Sequence, residues 1–385
     1  MNATLRFRPD DTWHFAGPRA HDDGALGETL SLFPPSAWTV AGAVRTLIGD
    51  ELDVDWDAFG HGDGRRHRLG AEIDLIDQIG FGDDLGLLRL TGPWLSSSRG
   101  RLYPAPFFLG KTPSGGLARL RPGEPVECDL GRVRLPAAAD PGISVLERCW
   151  LTETGFRAVM RGELPAAADC VEHRELIAEE SRLGIELDKA AQVTVDGQLY
   201  QTQHLRPVDD ALAVEVGISG VAAELLPGVG SVRFGGEGRV SRVEIAAEAP
   251  ALPAPVSIDS SAAGLMLVLL THADFEGTWL PPGAEALERE AGWRVNIGGV
   301  ELIVRSAAVG RAVREGGWNL AKRLPRPVRS LVPAGSVWYC EVPDGDLPAA
   351  SEVLHGIQCG RDQALGRGML AVGLWTHDEH PGRQE

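Results

Sequence analysis

An α+β chain folded as two β-α-β-β-α-β halves is what the sequence predicts, and three observations predict it. Strand-like runs and helix-like runs alternate on both sides of a Pro/Ala linker, "APALPAP" at 249–255, which is the best candidate domain boundary. Each half ends alike, with a helix candidate, a turn rich in Gly and Arg, and a strand. A hydrophobic fraction of 43% over 385 residues is enough to fill more than one core and excludes a disordered chain.

Taken in order, "ATLRFRPDDTWHFAG" begins with the alternation of a half-buried strand. "LFPPSAWTVAGAVRTLIGDEL" then predicts a helix, with Ser36 as its cap and Trp38, Val40, Ala41, Val44, Leu47 and Ile48 as its apolar stripe. Residues 60–145, rich in Gly, Pro and charge with few periodic segments, read as long loop insertions. Residues 172–207 mix charged stretches with strand-like pieces. "ALAVEVGIS" is a strand, "GVAAELLPG" a short helix, and "SVRFGGEGRVSRVEI" at 231–245 a strand, a glycine turn and a strand. Past the linker, "GLMLVLLTHA" reads as a buried strand and "EALEREA" as a short helix. "WRVNIGGVELIVRSAAVG" follows as two strands about a Gly-Gly turn, "SVWYCEV" as a strand, "PAASEVLHGI" as a helix and "GMLAVGLWTH" as a strand. This order is the ferredoxin-like arrangement with long loop insertions and glycine-rich loops. It divides the chain into domains 1–250 and 256–378 and a tail, 379–385.

The bulk properties exclude several functions. A net charge of −17 counts against a free-standing nucleic-acid binder but leaves room for a local basic groove. Cys128, Cys149, Cys170, Cys340 and Cys359 form no CxxC pair, which argues against a disulfide framework or a cysteine zinc site. The amino terminus lacks the basic and apolar regions of a signal peptide, and "AAGLMLVLLTHA" is too short to span a bilayer, so a cytoplasmic protein is expected.

Motifs with catalytic associations fall short on inspection. "FFLGKT" at 107–112 has Ala105 where a phosphate-binding loop needs its first glycine. "GFGDDLG" at 80–86 places Asp83 and Asp84 together in what reads as a solvated turn. "HGDGRRHR" at 61–68 puts His61 and His67 near Asp63 without a second ligand pair, and "HDEH" at 377–380 lies in a polar tail. No GxSxG, HExxH or GxGxxG after a strand is present, so no catalytic residue, metal or cofactor is expected. The positive signal is local charge. Between 305 and 329, Arg305, Arg311, Arg314, Lys322, Arg323, Arg326 and Arg329 face one acid, Glu315, with Trp318 among them. A solvated face is the bland explanation. Two glycine turns flanked by arginine recur in the same chain. Glycine lets backbone N–H groups approach phosphate, and arginine grips phosphate and stacks on bases.

The segments "LFPPSAWTVAGAVRTLI", "EESRLGIELDKAAQVTVDGQLYQTQHLRP", "RFGGEGRVSRVE" and "RPVRSLVPAGSVWY" together resemble the third subunit of the Cmr module, the type III-B CRISPR effector, in the RAMP superfamily. The resemblance runs in order from residue 33 to 375, and Glu180-Ser181-Arg182-Leu183-Gly184-Ile185 with its Asp196–Tyr200 continuation is its most specific part. It implies two RAMP (RRM-like) ferredoxin-like domains. It also implies a non-catalytic, RNA-binding role: holding the 5′ tag of the CRISPR RNA and docking on the large polymerase/cyclase subunit and on the backbone subunit with RNA-cleaving activity. The tag-contacting residues it suggests are Ser36, Trp38, Thr39 and Arg45 at the first helix; Arg182 and Tyr200; Arg233, Gly235, Gly236, Gly238, Arg239 and Arg242; Lys322 and Arg323; and Gly360, Arg361, Gly366, Arg367 and Gly368. Two alternatives stay open: an endoribonuclease of the same superfamily, with His204 near Arg206 or His355 near Cys359 as its only starting points, and a scaffold whose glycine turns are purely structural.

Overall fold

The computed structural model describes residues 3–17, 28–60, 68–69, 73–128, 131–138, 141–188, 193–225, 228–246, 252–258, 262–288, 290–319, 322, 324–343 and 345–376. The histidines at 61 and 67, Arg323, "HDEH" and the proposed tail lie outside the described residues.

Two large sheets carry the fold. The first runs in the order Cys170–Glu172, Cys149–Thr152, Gly100–Pro104, Arg89–Ser97, Ala213–Ser219, Ala3–Pro9, Val240–Ala246, Gly230–Arg233. Its neighbours pair antiparallel. Alternation in the first strand sends Leu5 and Phe7 into the core and leaves Arg6 and Arg8 on the opposite face. The predicted helix is present as Ala37–Glu51, and Ser36 caps it by accepting the Thr39 N–H. Val40, Val44, Leu47 and Ile48 bury its apolar stripe against Leu5, Phe7, Val214 and Val243.

The second sheet runs Glu285–Ala286, Trp293–Ile297, Val300–Ala308, Val337–Glu341, Gly264–Leu269, Leu370–Trp375, with the helix Leu347–Leu354 packed on one face. In both sheets the strand that opens the half lies between the strand that closes it and a strand from the middle of the half. Helices are few, and the architecture is α+β.

Three expectations need correction. Residues 60–145 are not simply loop. Arg89–Ser97 is an interior strand of the first sheet, and the hairpin Arg121–Cys128/Gly131–Ala137 joins the second sheet where Arg134 meets Ser306. Pro93 inside the first of these strands, and a register shift between Glu215 and Gly217 opposite it, erase the alternation that announces a strand. The helix expected in "GVAAELLPG" is a single 3-10 turn, Ala223–Leu225, because Pro227 and the strand from Gly230 leave it no length. "EALEREA" is not a helix: Glu285–Ala286 is an edge strand paired with Trp293 and Arg294. Trp279 and Trp293, edge to face at 4.9 Å, cover that part of the core in place of a helix.

The two halves share a core. Phe156, Val159 and Met160, from the helix Glu153–Met160, meet Met266, Val268 and Ala371 of the second sheet. Leu365 of the second half sits in the core of the first. Within 172–207, a stretch without a clear pattern in the sequence, Ile177–Asp188 and Val193–Pro207 pair antiparallel as the two arms of a long hairpin. Among the described residues no helix is long and apolar enough to cross a membrane.

Candidate RNA interface

The first strand ends at Pro9, and the chain then threads between the long hairpin and the glycine turn. Trp13 exchanges both backbone hydrogen bonds with Leu205, at 2.9 and 2.8 Å, and the Gly236 N–H donates to the His14 carbonyl at 2.8 Å. The buried Trp13 indole pins this segment by donating to Ser241 Oγ at 2.9 Å. Asp11 is thereby placed among three arginines that are far apart in sequence: Arg182 at 3.2 Å, Arg206 at 3.0 Å and Arg239 at 3.2 Å.

Glu180, on the hairpin, binds Arg206 and lies 3.1 Å from Arg182. Arg242 approaches Asp10 at 3.7 Å and faces Arg8 across the strand pair. Arg233 is exposed and has no side-chain partner among the described residues. Four arginines therefore gather about three carboxylates, with Arg8 opposite Arg242 and Arg233 on the neighbouring strand. Burial works to raise the Asp11 pKa, but hydrogen bonds from Arg182 and Arg206 outweigh it and lower it. The hydrogen bond from Arg206 likewise lowers Glu180. Both acids stay charged and fix the guanidinium groups. Ordered guanidinium forks with unspent donors are suited to phosphate.

The glycine turn closes the hairpin between Gly230–Arg233 and Val240–Ala246. Gly235 has φ +94°, and a Cβ there would lie 2.3 Å from the His14 carbonyl oxygen, so only glycine permits this approach. The Gly236 N–H is already given to His14, which removes it from the expected phosphate cradle. Gly238, at φ +65°, faces open space.

The second half repeats the device. Gly360, at φ +89°, would place a Cβ 2.7 Å from the Asp274 carbonyl oxygen. Asp274 and Asp362 each hold Arg329 at 2.8 Å, and Arg361 pairs with Glu276 at 2.8 Å. The other residues expected here turn inward. A Cβ at Gly366 would lie 2.4 Å from the Gly92 oxygen of the first half, and one at Gly368 1.8 Å from the Cys359 oxygen. Arg367 is enclosed, 2% exposed, and paired with Glu315.

Most residues expected at the first helix also hold structure. Ser36 and Thr39 bond each other at 2.9 Å. Arg45 donates to the carbonyls of Ile79 at 2.7 Å, Gly82 at 3.0 Å and Asp84, and burial lowers its pKa to about 10. Trp38 is stacked by the Arg326 guanidinium at 4.0 Å. Arg326 and Lys322 both pair with Asp83, the latter at 2.6 Å, so that acid closes an ion-paired contact between the halves. Tyr200 lies over Gly184, its cross-strand partner, where a Cβ would be 2.2 Å from the ring. In the 305–329 stretch, Arg305 and Arg329 are paired to acids, while Arg311, Arg314 and Trp318 are exposed.

The histidines that an endoribonuclease would need are already held by partners within the chain. His204 is 2% exposed and lies within 3.1 Å of Thr12 and 3.2 Å of Thr202. Burial, then the charges of Arg182 and Arg239, lowers its pKa to about 4. His355 accepts the Val372 N–H at 3.2 Å and donates to the Pro253 carbonyl at 2.9 Å. Among the described residues no group of three His, Cys, Asp or Glu is placed to hold a metal.

The residues that organise the surface but are not among the expected contacts are Asp10, Asp11, Glu180, Arg206, Asp274 and Arg8. Their partners are strand neighbours or tertiary contacts, and an "RPDD" following a strand carries no local signal of them.

A family model described as CRISPR-associated protein (Cas_Cmr3) matches residues 5–375. A chain in the cryo-EM structure of the type III-B Cmr-beta bound to cognate target RNA and AMPPnP is 15% identical, with 88% of this chain and 86% of that one covered at a TM-score of 0.44. A chain in the corresponding structure bound to cognate target RNA gives the same identity and coverage at a TM-score of 0.45. No curated protein matches the chain.

Proposed function

The chain belongs to the Cas_Cmr3 family of CRISPR-associated proteins, and on that premise we propose that it is a non-catalytic subunit of a type III-B CRISPR effector complex. Its task is to hold the 5′ tag of the CRISPR RNA and to bridge the large polymerase/cyclase subunit to the backbone subunits. The observation that carries this reading is the convergence of the hairpin, the Asp10–Phe15 segment and the glycine turn, which gathers Arg8, Arg182, Arg206, Arg239 and Arg242 on an otherwise acidic chain, with Arg233 on the strand beside them.

The tag phosphates run over this surface, with Arg233, Arg239 and Arg242 as contacts and Arg182 and Arg206 held ready by Asp11 and Glu180. Arg361 and Gly360 in the second half, and Trp318 with Arg314 on its arm, extend the path. Arg45, Arg367, Tyr200 and the glycines at 235, 366 and 368 act by shaping it. Each half is a RAMP-type ferredoxin-like domain, 1–250 and 256–378. The strand orders support this, although one helix of each is reduced or replaced. Protein docking falls to the hairpin, where Leu183, Ile185 and Leu199 share one exposed apolar face. The enclosed His204 and the backbone-bonded His355 favour a binding role over cleavage of repeat RNA.

Co-expression with the genes of the complex tests the reading. The assembled particle is expected to carry a guide-length RNA with a constant 5′ end, and Arg182→Gln with Arg242→Gln should lower its RNA content. RNA content unchanged by both substitutions would remove the assignment of the surface.

A further inference from the structure

Beneath the hairpin Arg121–Cys128/Gly131–Ala137 lies a cavity of about 550 Å³ that shares no residue with the surface proposed for the tag. Five arginines line it: Arg119, Arg121, Arg132, Arg134 and Arg305. Its acids, Glu290 and Glu341, are both committed to Arg305, at 2.9 and 2.7 Å. Arg132 has a distant partner, Glu127 at 3.9 Å, and the Arg134 Nη1 donates to the Gly123 carbonyl at 3.1 Å. Arg119 has no acidic partner among the described residues. Its guanidinium lies over the Phe108 ring at 4.3 Å, against Met266 Sδ and beside the Tyr339 hydroxyl. Burial lowers its pKa. Tyr339 and Trp375, edge to face at 5.6 Å, complete an aromatic wall.

The cavity is of ligand size, and its lining has more arginine than acid together with an aromatic side. Arginine forks fit phosphate oxygens, and aromatic rings fit bases. We propose that this cavity binds a phosphorylated nucleotide unit, its phosphate received by Arg119 and Arg134 and its base placed toward Trp375. The unit has two possible sources, a free nucleotide or one nucleotide of a single-stranded RNA. The site stands independently of the guide-RNA reading, because its residues and its ligand test are separate.

Isothermal titration of the full-length chain with inorganic pyrophosphate, AMP, ATP and a ten-residue oligouridylate tests it. At least one phosphate-bearing probe is expected to bind at low salt, while uridine and adenosine do not. Arg134→Gln and Arg119→Gln should each weaken that probe about tenfold, and Arg174→Gln, at an exposed arginine outside both surfaces, should leave it unchanged. ATP binding without oligouridylate binding identifies a free nucleotide as the source, and the reverse identifies RNA. If Arg119→Gln impairs folding, as its contacts with Phe108 and Met266 allow, Arg132→Gln combined with Arg134→Gln decides the matter. The proposal is overturned if no phosphate-bearing probe binds at millimolar concentration, or if binding persists unchanged in folded Arg132→Gln/Arg134→Gln chains.

Discussion

Replacing Gly235 by alanine should damage the protein more than the same change three residues later, and the structure sets the difference. Gly235 has φ +94°, where an L residue costs about 1–2 kcal/mol. Its added Cβ would also lie 2.3 Å from the His14 carbonyl oxygen. Relieving that overlap means moving the segment that Trp13 pins to Leu205 and Ser241, an overpacking cost of about 1–3 kcal/mol. The sum is roughly 2–5 kcal/mol. Gly238, at φ +65° with nothing within 4 Å of its added Cβ, incurs only the backbone part, about 1–2 kcal/mol. Urea unfolding of the purified chains, followed by tryptophan fluorescence, measures both. Because the same segment carries Asp11, Gly235→Ala should also reduce guide-RNA occupancy in the assembled complex more than Gly238→Ala. Equal losses of stability for the two variants would refute the close-approach argument.

Acid should unfold the chain in a window set by histidines before its carboxylates titrate. His272 is pushed to about 4 by burial and the Arg367 charge, its Nδ1 accepting the Ala334 N–H at 2.9 Å, and His204 is also at about 4. Both lie below the ordinary value of 6.5, so the unfolded chain takes up protons first. Stability therefore falls as pH drops from about 6.5 toward 4, with His272 contributing on the order of 2–3 kcal/mol. Denaturation midpoints that stay flat over this range would contradict it. Glu315→Ala strands Arg367 in the interior and should cost about 3–5 kcal/mol, whereas Glu315→Leu with Arg367→Met should recover most of that loss in the same urea assay. Asp83→Ala, which frees Lys322 and Arg326, should cost no more than about 1 kcal/mol because the pairs are partly exposed. Neither it nor the parent chain should cleave RNA with added divalent metal, and metal-dependent cleavage abolished by the substitution would restore Asp83 as a catalytic residue.

What the sequence disclosed followed from locality. The first helix was legible because its cap at Ser36 and its stripe from Val40 to Ile48 lie within one short segment. The hairpin about Gly298 and Gly299 was legible from its turn chemistry. Arg89–Ser97 was hidden because Pro93 and a register shift break its period. "EALEREA" was misread because its helix propensity is overridden by pairing with Trp293. At the candidate surface, Arg182, Arg239 and Arg242 were singled out, but Asp11, which draws the first two together, was not. It is 171 residues from Arg182 and 228 from Arg239, and nothing local couples them. Arg367 reads in the sequence as a tag-contacting cation, yet it is buried against Glu315, brought in from another arm of the same half.

Photocrosslinking tests the central claim most directly. A complex assembled on a guide RNA carrying a photoreactive nucleotide within its 5′ tag, irradiated and digested, should yield crosslinked peptides from this chain spanning 233–242 and the hairpin around Arg182 and Arg206. Substituting Arg233 and Arg242 with glutamine should diminish them. Crosslinks confined to other parts of the chain, or to other subunits, would contradict the assignment of the tag to the arginine surface organised by Asp11.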